Sequence, residues 1–409
     1  MKKFYLFSSF LLFICTSYAQ RICGTYDYAQ KSPSVISDGR QAARNAAAGR
    51  DTVLGEQINI PVVIHVLYNT ASQNISDAQV LSQLNTLNND YNKLNADIVS
   101  IPSAFSSLAA DVKIKFCLAR IDLNGRGTSG IIRKYTKEAA WMADDAMKFS
   151  RSGGDDAWDA TKYLNIWVCN LFGRNLGYSS LPGSAADKDG LVIQYDVFGT
   201  TGIVRYPFNK GRTATHEIGH WLGLQHLWGD AVCGDDHIGD TPPQQSYNNG
   251  CPSFPHISNC SINSNGDMFM NFMDFTDDAC MHMFTLQQKN KMRSLFALKG
   301  ARNSFLNSSV CDSTMAESGP LPLQPDTTVT TKKIIAVYPN PATNFIVIEN
   351  SNPEDWIGKT AKLYTIAGIE IKAVVLRSHK NMIPVNNLKA GIYLIRIEGM
   401  NSTLKFLKL

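Results

Sequence analysis

The sequence of 409 residues predicts two folded domains, a mixed α/β (α+β) domain over about residues 51–312 and a small antiparallel β-sandwich over residues 334–409. In the first region, runs of β-branched residues alternate with segments whose apolar residues recur at helical spacing. In the second region, short β-rich runs alternate with turn residues. Residues 313–333 are rich in Pro, Ser and Thr and lack periodicity, so we expect a linker between the two domains.

The elements of the first domain begin with a strand at Ile58–Tyr68, where β-branched residues dominate. A helix follows over residues 77–92, because Val80, Leu84 and Leu87 recur at helical spacing. The later predicted strands are 113–121, 163–170 and 190–195, and the later predicted helices are 213–224 and 286–298. The strands predicted for the second domain are 335–338, 345–349, 361–365, 392–398 and 404–409.

The N-terminal residues 1–19 have the features of a secretory signal peptide. Lys2 and Lys3 precede a short apolar run, and small residues at 17–19 supply a cleavage site. An uncleaved N-terminal anchor is the alternative. Residues 20–50 are polar and alanine-rich and are predicted to be a propeptide. No later segment offers 18 consecutive apolar residues, so we expect no transmembrane segment.

The charge and the cysteines limit the function classes. A net charge of +4 without a dense Lys/Arg run argues against nucleic-acid binding. An exported protein meets oxidising conditions, so disulfides are expected. Four cysteines lie between residues 233 and 280, and the sequence alone permits three pairings among them. Cys117 and Cys169 lie in predicted strands, where we expect buried thiols.

The most informative motif is H-E-x-x-H-x-x-G-x-x-H at residues 216–226. Residues four apart share one face of a helix, so His216 and His220 can bind one Zn²⁺. Gly223 permits a sharp turn that returns His226 as a third ligand. Three ligands leave one position for water, from which Glu217 can take a proton. The alternative is a surface helix that carries histidines by chance, although three of only eight histidines occupy the ligand positions.

Three motifs together resemble the pappalysin family of metzincin metallopeptidases over residues 51–312: HEIGHWLGLQH, GDTP at 239–242 and NFMDF at 271–275. The resemblance implies an upper subdomain with a twisted mixed sheet and an active-site helix, and an irregular lower subdomain. It implies that Met273 forms the turn beneath the zinc. It also implies the disulfides Cys233–Cys260 and Cys251–Cys280. Phe275 is a departure, because relatives often carry a tyrosine at that position.

The C-terminal motifs VYPNPATNFIVIE, LKAGIYLIRIEG and KFLKL resemble the sorting domain of the type IX secretion system. The resemblance implies export by way of the periplasm to the medium or the cell surface, with that secretion machinery as partner. An adhesive or carbohydrate-binding β-module is the alternative.

The function predicted from these features is that of a secreted zinc endopeptidase. It would hydrolyse peptide bonds in protein or peptide substrates through a zinc-bound water activated by Glu217. We expect a monomer. The alternative is a surface-displayed binding or adhesion protein on a metzincin scaffold, and the intact Glu217 argues against it, because binding alone needs no base.

Three further sites are predicted beside the zinc. Hard oxygens in one loop suit Ca²⁺, with a solvated acidic loop as the alternative; they belong to Asp235, Asp236, Asp240 and Thr241. Cys23 in the propeptide resembles the latency cysteines of related proenzymes, with a free or Cys311-paired thiol as the alternative. The carboxylates of Asp277 and Asp278 would favour Arg or Lys after the scissile bond, with capping, calcium binding or simple exposure as the alternative.

Overall fold

The computed structural model of the chain describes residues 20–31, 56–262 and 264–311, and in the C-terminal region residues 335–338, 341–350, 356–366, 368–377, 380–399 and 403–409. The predicted signal peptide, residues 32–50 of the predicted propeptide and the predicted linker lie outside the described residues. The chain divides into two compact units, Met1–Pro320 and Leu321–Leu409.

A six-stranded sheet forms the centre of the first unit. The long strand β1 (Ile58–Tyr68) pairs on one side with β2 (Ile114–Leu118) through its first half and with β3 (Ile131–Tyr135) through its second half. On its other side lie β4 (Leu164–Cys169), β6 (Gly190–Gln194) and β5 (Gly177–Ser179). All pairs are parallel except β5–β6, which confirms the predicted mixed sheet.

Five α-helices accompany this sheet in the described residues: α1 (Thr25–Gln30), α2 (Asp77–Tyr91), α3 (Ser103–Ser106), α4 (Arg212–Trp221) and α5 (Leu286–Ser294). Ser76 caps α2, and Thr285 with Gln288 forms a capping box on α5, so local sequence fixes both starts. All ten residues of α4 are buried. Among the described residues, no helix is long and apolar enough to cross a membrane.

Three disulfides join cysteines of the first unit. Cys233–Cys260 and Cys251–Cys280, the pairs that the family resemblance implies, cross-link the irregular region after α4. The expectation of a free thiol at Cys117 is wrong, because Cys117 is bonded to Cys311. That bond also excludes a Cys23–Cys311 pair. Cys169 is a buried free thiol.

The second unit contains two antiparallel sheets that share an apolar core, which confirms the predicted fold. One has the order β10–β9–β12–β13 and the other β11–β8–β7. Leu363, Ile395 and Phe406 of the first sheet pack with Ile346 and Ile383 of the second. The strands are β7 (Ile335–Tyr338), β8 (Phe345–Asn350), β9 (Thr360–Thr365), β10 (Glu370–Val375), β11 (Lys380–Pro384), β12 (Gly391–Ile397) and β13 (Thr403–Lys408).

Candidate metal centre

Helix α4 and the turn after it bring three histidines together. His216 and His220 lie one turn apart on the helix, which ends at Trp221. Gly223 follows with φ = 82°, a left-handed conformation that suits glycine at the end of a helix. The reversed chain then places His226 opposite the other two rings. Each of the three side chains is at most 2% exposed.

The three imidazoles have the spacing of a zinc site. Their Nε2 atoms lie 3.1, 3.1 and 3.3 Å from one another. Tetrahedral zinc with N ligands at about 2.05 Å separates those ligands by about 3.3 Å. Burial is the main cause that lowers the pKa of His216 and of His220, the latter to about 3, and this favours the neutral form that binds metal. The residues therefore fit Zn²⁺.

The outer nitrogen of each ring has its own acceptor. His216 Nδ1 lies 2.7 Å from the carbonyl oxygen of Phe272, and His220 Nδ1 lies 2.9 Å from that of Leu224. His226 Nδ1 lies 2.5 Å from Oδ1 of Asp230. An Nδ1–H donated to such an acceptor leaves the Nε2 lone pair directed at the shared centre. Sequence reasoning missed Asp230, although its position four residues after His226 was a usable signal.

Met273, the predicted turn methionine, packs against helix α4 at Gly219. A Cβ atom added to Gly219 would lie 2.4 Å from Met273 Sδ, so the small residue at this helix position permits the contact. Asn271 shapes the turn by accepting the backbone N–H of Met273 at 2.9 Å. The same turn presents the Phe272 carbonyl to His216, which links this turn to the histidine cluster.

Phe275 packs against the histidine cluster. Its ring centroid lies 4.8 Å from that of His226 and 4.9 Å from that of Trp228, whose indole in turn stacks on His226 at 4.5 Å. These contacts restrict the orientation of the His226 ring. Phe275 has no hydroxyl, so it packs on the His226 ring but cannot donate a side-chain hydrogen bond to a substrate.

Glu217 is a buried carboxylate at the same centre. Its Oε2 atom accepts a hydrogen bond from Thr25 Oγ1 at 2.8 Å and lies 3.4 Å from Cys23 Sγ. Burial raises the pKa of Glu217 to about 7, despite the opposing hydrogen bond from Thr25. A carboxyl group with a pKa near neutrality can both accept and return a proton. No feature of the sequence pointed to Thr25.

The N-terminal segment 20–31 lies across this centre. Cys23 Sγ and the three Nε2 atoms lie within 4.8 Å of one another, the one such cluster of possible metal ligands in the described part of the chain. The segment also adds to the edge of the sheet: Gly24 donates its N–H to the Gly177 carbonyl at 2.9 Å, and Ile22 accepts from Leu176 at 3.0 Å. Asp27, the carboxylate residue of this segment, is exposed and outside the cluster.

Arg21 of this segment enters a buried pocket beside the metal centre. Its guanidinium forms an ion pair with Asp278 and donates to Thr213 Oγ1 at 3.1 Å, while its Nε donates to the Thr276 carbonyl at 3.2 Å. Both members of the ion pair are at most 1% exposed. Asp277, the neighbouring predicted pocket residue, is half-buried and forms no ion pair with Arg21 in the described structure. The sequence carried no signal for Arg21.

The predicted calcium ligands lie in one loop but have different partners. Asp236 is buried and accepts from Thr241 Oγ1 at 2.9 Å. Asp240 accepts from Thr285 Oγ1 and from the Gln287 N–H at the start of α5. Asp235 is exposed. The three carboxylates do not form a ligand cluster among the described residues.

The chain is similar to known protein families. Residues 150–297 match the family described as pregnancy-associated plasma protein-A, and residues 336–408 match the secretion system C-terminal sorting domain. An extracellular metalloprotease of Neurospora crassa is 30% identical over 285 residues, which cover 67% of this chain and 84% of the relative.

Solved structures are also similar. Mature mirolysin of Tannerella forsythia in complex with a cleaved peptide is 49% identical, with a TM-score of 0.61, over 63% of this chain and 97% of that chain. A Glu-to-Ala mutant of Tannerella forsythia promirolysin is 45% identical, with a TM-score of 0.67, over 71% of this chain and 98% of that one.

Proposed function

Since the chain belongs to the pappalysin family of metallopeptidases, a secreted zinc endopeptidase in this case, we propose that Glu217 is its general base. The observation that carries the proposal is the position of Cys23 Sγ, which lies close to the three Nε2 atoms and 3.4 Å from Glu217 Oε2. A water molecule that replaced the sulfur would contact both the metal site and the carboxylate. The sorting domain at the C-terminus makes the protein a secreted or cell-surface one.

In this mechanism the three histidines and Glu217 have separate roles. His216, His220 and His226 would hold Zn²⁺, which when bound polarises a peptide carbonyl and acidifies water. Glu217 Oε2 accepts the proton of the attacking water and passes it to the leaving amine nitrogen. Segment 20–31 covers the outer edge of β5. Once the segment leaves, this edge would bind the backbone of the substrate through backbone–backbone hydrogen bonds. No covalent bond to the protein forms.

The test is Glu217→Ala in the enzyme freed of segment 20–31. We expect the variant to keep its zinc and its fold and to lose several orders of magnitude in kcat/KM on casein-derived peptides, because the cluster of possible metal ligands in the described residues contains no carboxylate that could replace Glu217. Zinc content measured by mass spectrometry separates loss of the base from loss of the metal. Wild-type activity of a zinc-loaded Glu217→Ala variant would refute the mechanism.

We further propose that the pocket beside the metal centre selects Arg or Lys after the scissile bond. The support is Arg21, whose guanidinium already occupies the pocket and pairs with Asp278. Asp277 and Asp278 are both predicted to form this pocket. Because Arg21 pairs with Asp278, we assign Asp278 as the carboxylate that would bind a substrate arginine. Its second oxygen accepts the backbone N–H groups of Lys210 and Arg212 at 2.7 and 3.2 Å, so the carboxylate is fixed to the start of α4.

Segment 20–31 is proposed to keep the enzyme latent. Cys23 would supply a thiolate as fourth ligand and so exclude the water, and Arg21 fills the specificity pocket. Removal of the segment would open both positions. A binding protein on the same scaffold, the alternative function, would need neither a buried base nor a segment that covers it.

Calcium is proposed as a second metal in the loop that contains Asp235, Asp236, Asp240 and Thr241. The support is that these oxygens lie in one loop and that the buried Asp236 carboxylate directs both oxygens toward Thr241 Oγ1, at 2.9 and 3.0 Å. Monomeric state remains a prediction that size-exclusion chromatography with light scattering can check.

A further inference from the structure

A second side chain of segment 20–31 lies in a built pocket. The Tyr28 hydroxyl donates a hydrogen bond to Asp145 Oδ2 at 2.7 Å. Its ring lies 4.9 Å from that of Tyr178, and the Lys148 ammonium lies 5.3 Å from the Tyr28 ring centroid. A hydrogen-bond acceptor, an aromatic wall and a cation facing the ring are together the contacts that a phenol group requires. We call Asp145, Lys148 and Tyr178 the phenol subsite.

Burial of the charged groups in the phenol subsite is energetically unfavourable. Lys148 is fully buried and Asp145 is 4% exposed, and the two form an ion pair at 2.8 Å. Two buried charges lose their hydration, and replacing such a pair by apolar residues is often neutral or stabilising. Asp145 also has φ = 69°, a conformation that is uncommon for residues other than glycine. Such features concentrate at ligand sites.

The location follows from the order of the segment along the cleft. Arg21 occupies the Asp278 pocket, Cys23 lies at the metal centre, and Tyr28 lies beyond it. This step rests on the proposed function: if the Asp278 pocket takes the residue after the scissile bond, residues before that bond lie on the Tyr28 side. From Cys23 to Tyr28 the chain advances about 9 Å, because most of this stretch is helical. An extended substrate covers that distance in about three residues.

We propose that, once segment 20–31 leaves, the phenol subsite binds a tyrosine side chain of the substrate two to four residues before the scissile bond. Departure of Tyr28 removes the hydroxyl donor of Asp145 Oδ2 and uncovers the Tyr178 ring. A substrate tyrosine restores both contacts. Phenylalanine restores only the ring contact, and it leaves the buried carboxylate oxygen without this donor.

The test uses the enzyme freed of its N-terminal segment and internally quenched peptides with one Arg after the scissile bond. Tyr, Phe or Ala is placed two, three or four residues before that bond, and mass spectrometry locates the cleavage. At one of these positions we expect Tyr to exceed Phe by about tenfold in kcat/KM, the effect of one hydrogen bond to a charged acceptor. Equal values for Tyr and Phe at all three positions would overturn the proposal and leave Tyr28 as an anchor of the segment only.

Two further arms identify the residue and separate the two proposals. Asp145→Asn should lower the Tyr-to-Phe ratio, because a hydrogen bond between a phenol and a neutral amide is weaker than one to a carboxylate, whereas Asp144→Asn, at an exposed carboxylate in the same loop, should preserve it. The peptide series on the unchanged enzyme decides the question even where Asp145→Asn does not fold. A separate pair of peptides, with Arg or Ala after the bond, reports on the Asp278 pocket. If the Asp278 pocket does not select Arg, the two peptides of this pair will be cleaved at equal rates. The Tyr and Phe peptides can still be compared in that case, as long as they are cleaved.

Discussion

Replacing Asp278 by asparagine should abolish the preference for Arg after the scissile bond. The carboxylate is fully buried, and one of its oxygens receives the Arg21 guanidinium while the other caps the start of helix α4. Asparagine keeps the size and one oxygen. If that oxygen continues to accept the backbone N–H groups of Lys210 and Arg212, the amide NH₂ group faces the pocket. It cannot pair with a substrate guanidinium, because both groups are hydrogen-bond donors.

The expected magnitude follows from the burial of this pair. Removing one partner of a buried ion pair costs about 3–5 kcal/mol. Water can enter the pocket with the substrate, so we take the lower end, about 3 kcal/mol, which corresponds to about a hundredfold in kcat/KM. A peptide with Gln at the same position carries no charge and should lose little. The ratio of Arg to Gln cleavage should therefore fall by about two orders of magnitude.

The assay compares kcat/KM for matched quenched peptides that differ only in the residue after the scissile bond. Asp277→Asn is the control, because this half-buried neighbour forms no described ion pair with Arg21 and should leave the ratio unchanged. Zinc content and Tm of each variant check that the helix start is intact. An Asp278→Asn enzyme that still prefers Arg would refute the pocket, and loss of preference in Asp277→Asn alone would move it to that residue.

Three other predictions concern latency, export and calcium. Uncleaved chain with Cys23→Ala should hydrolyse peptides faster than uncleaved wild type, because water can reach the metal; equal latency would leave steric cover by the segment as the cause. Deletion of residues 334–409 should retain the enzyme in the periplasm, and normal secretion of the truncated chain would disprove sorting by this unit. Ca²⁺ at a hundredfold excess over its Kd should stabilise the fold by about 2.7 kcal/mol, and a Tm that Ca²⁺ does not raise in wild type, or raises equally in Asp236→Asn, would contradict the site.

The metal centre could be predicted from the sequence because its main parts are local. His216, Glu217, His220 and His226 lie within eleven residues, and helix geometry with one glycine fixes their relation. The hydrogen-bond partners of the histidine Nδ1 atoms are less local in the sequence. Asp230 is near in sequence, but the Phe272 carbonyl reaches His216 across 56 residues through backbone atoms, which no side-chain pattern records.

Missed strands have a similar explanation. The strand β5 has only three residues, and β3 is an edge strand whose side chains are all at least partly exposed, so neither has the apolar run that marks β1. The disulfide of Cys117 spans 194 residues, and neither its strand setting nor its spacing indicated the partner. The calcium prediction rests on hard oxygens in one loop, and the sequence did not indicate that Asp240 would accept hydrogen bonds from Thr285 and Gln287 at the start of α5.

The path of segment 20–31 is the part of the site that the sequence predicts least. If the segment keeps the enzyme latent, as proposed, its path also gives a reason why the peptidase would not cleave it. Its contacts to Glu217 and Asp278 join residues 192 to 257 positions apart. Cys23 pairs with Gly177 in parallel, and Arg21 precedes Cys23 in the chain. In the proposed specificity, a substrate instead carries its arginine after the scissile bond. If both arginines enter the same pocket, the segment runs opposite to a substrate, and none of its peptide bonds would present a carbonyl in the productive direction. The sulfur of Cys23 would also occupy the position that the attacking water needs in the proposed mechanism.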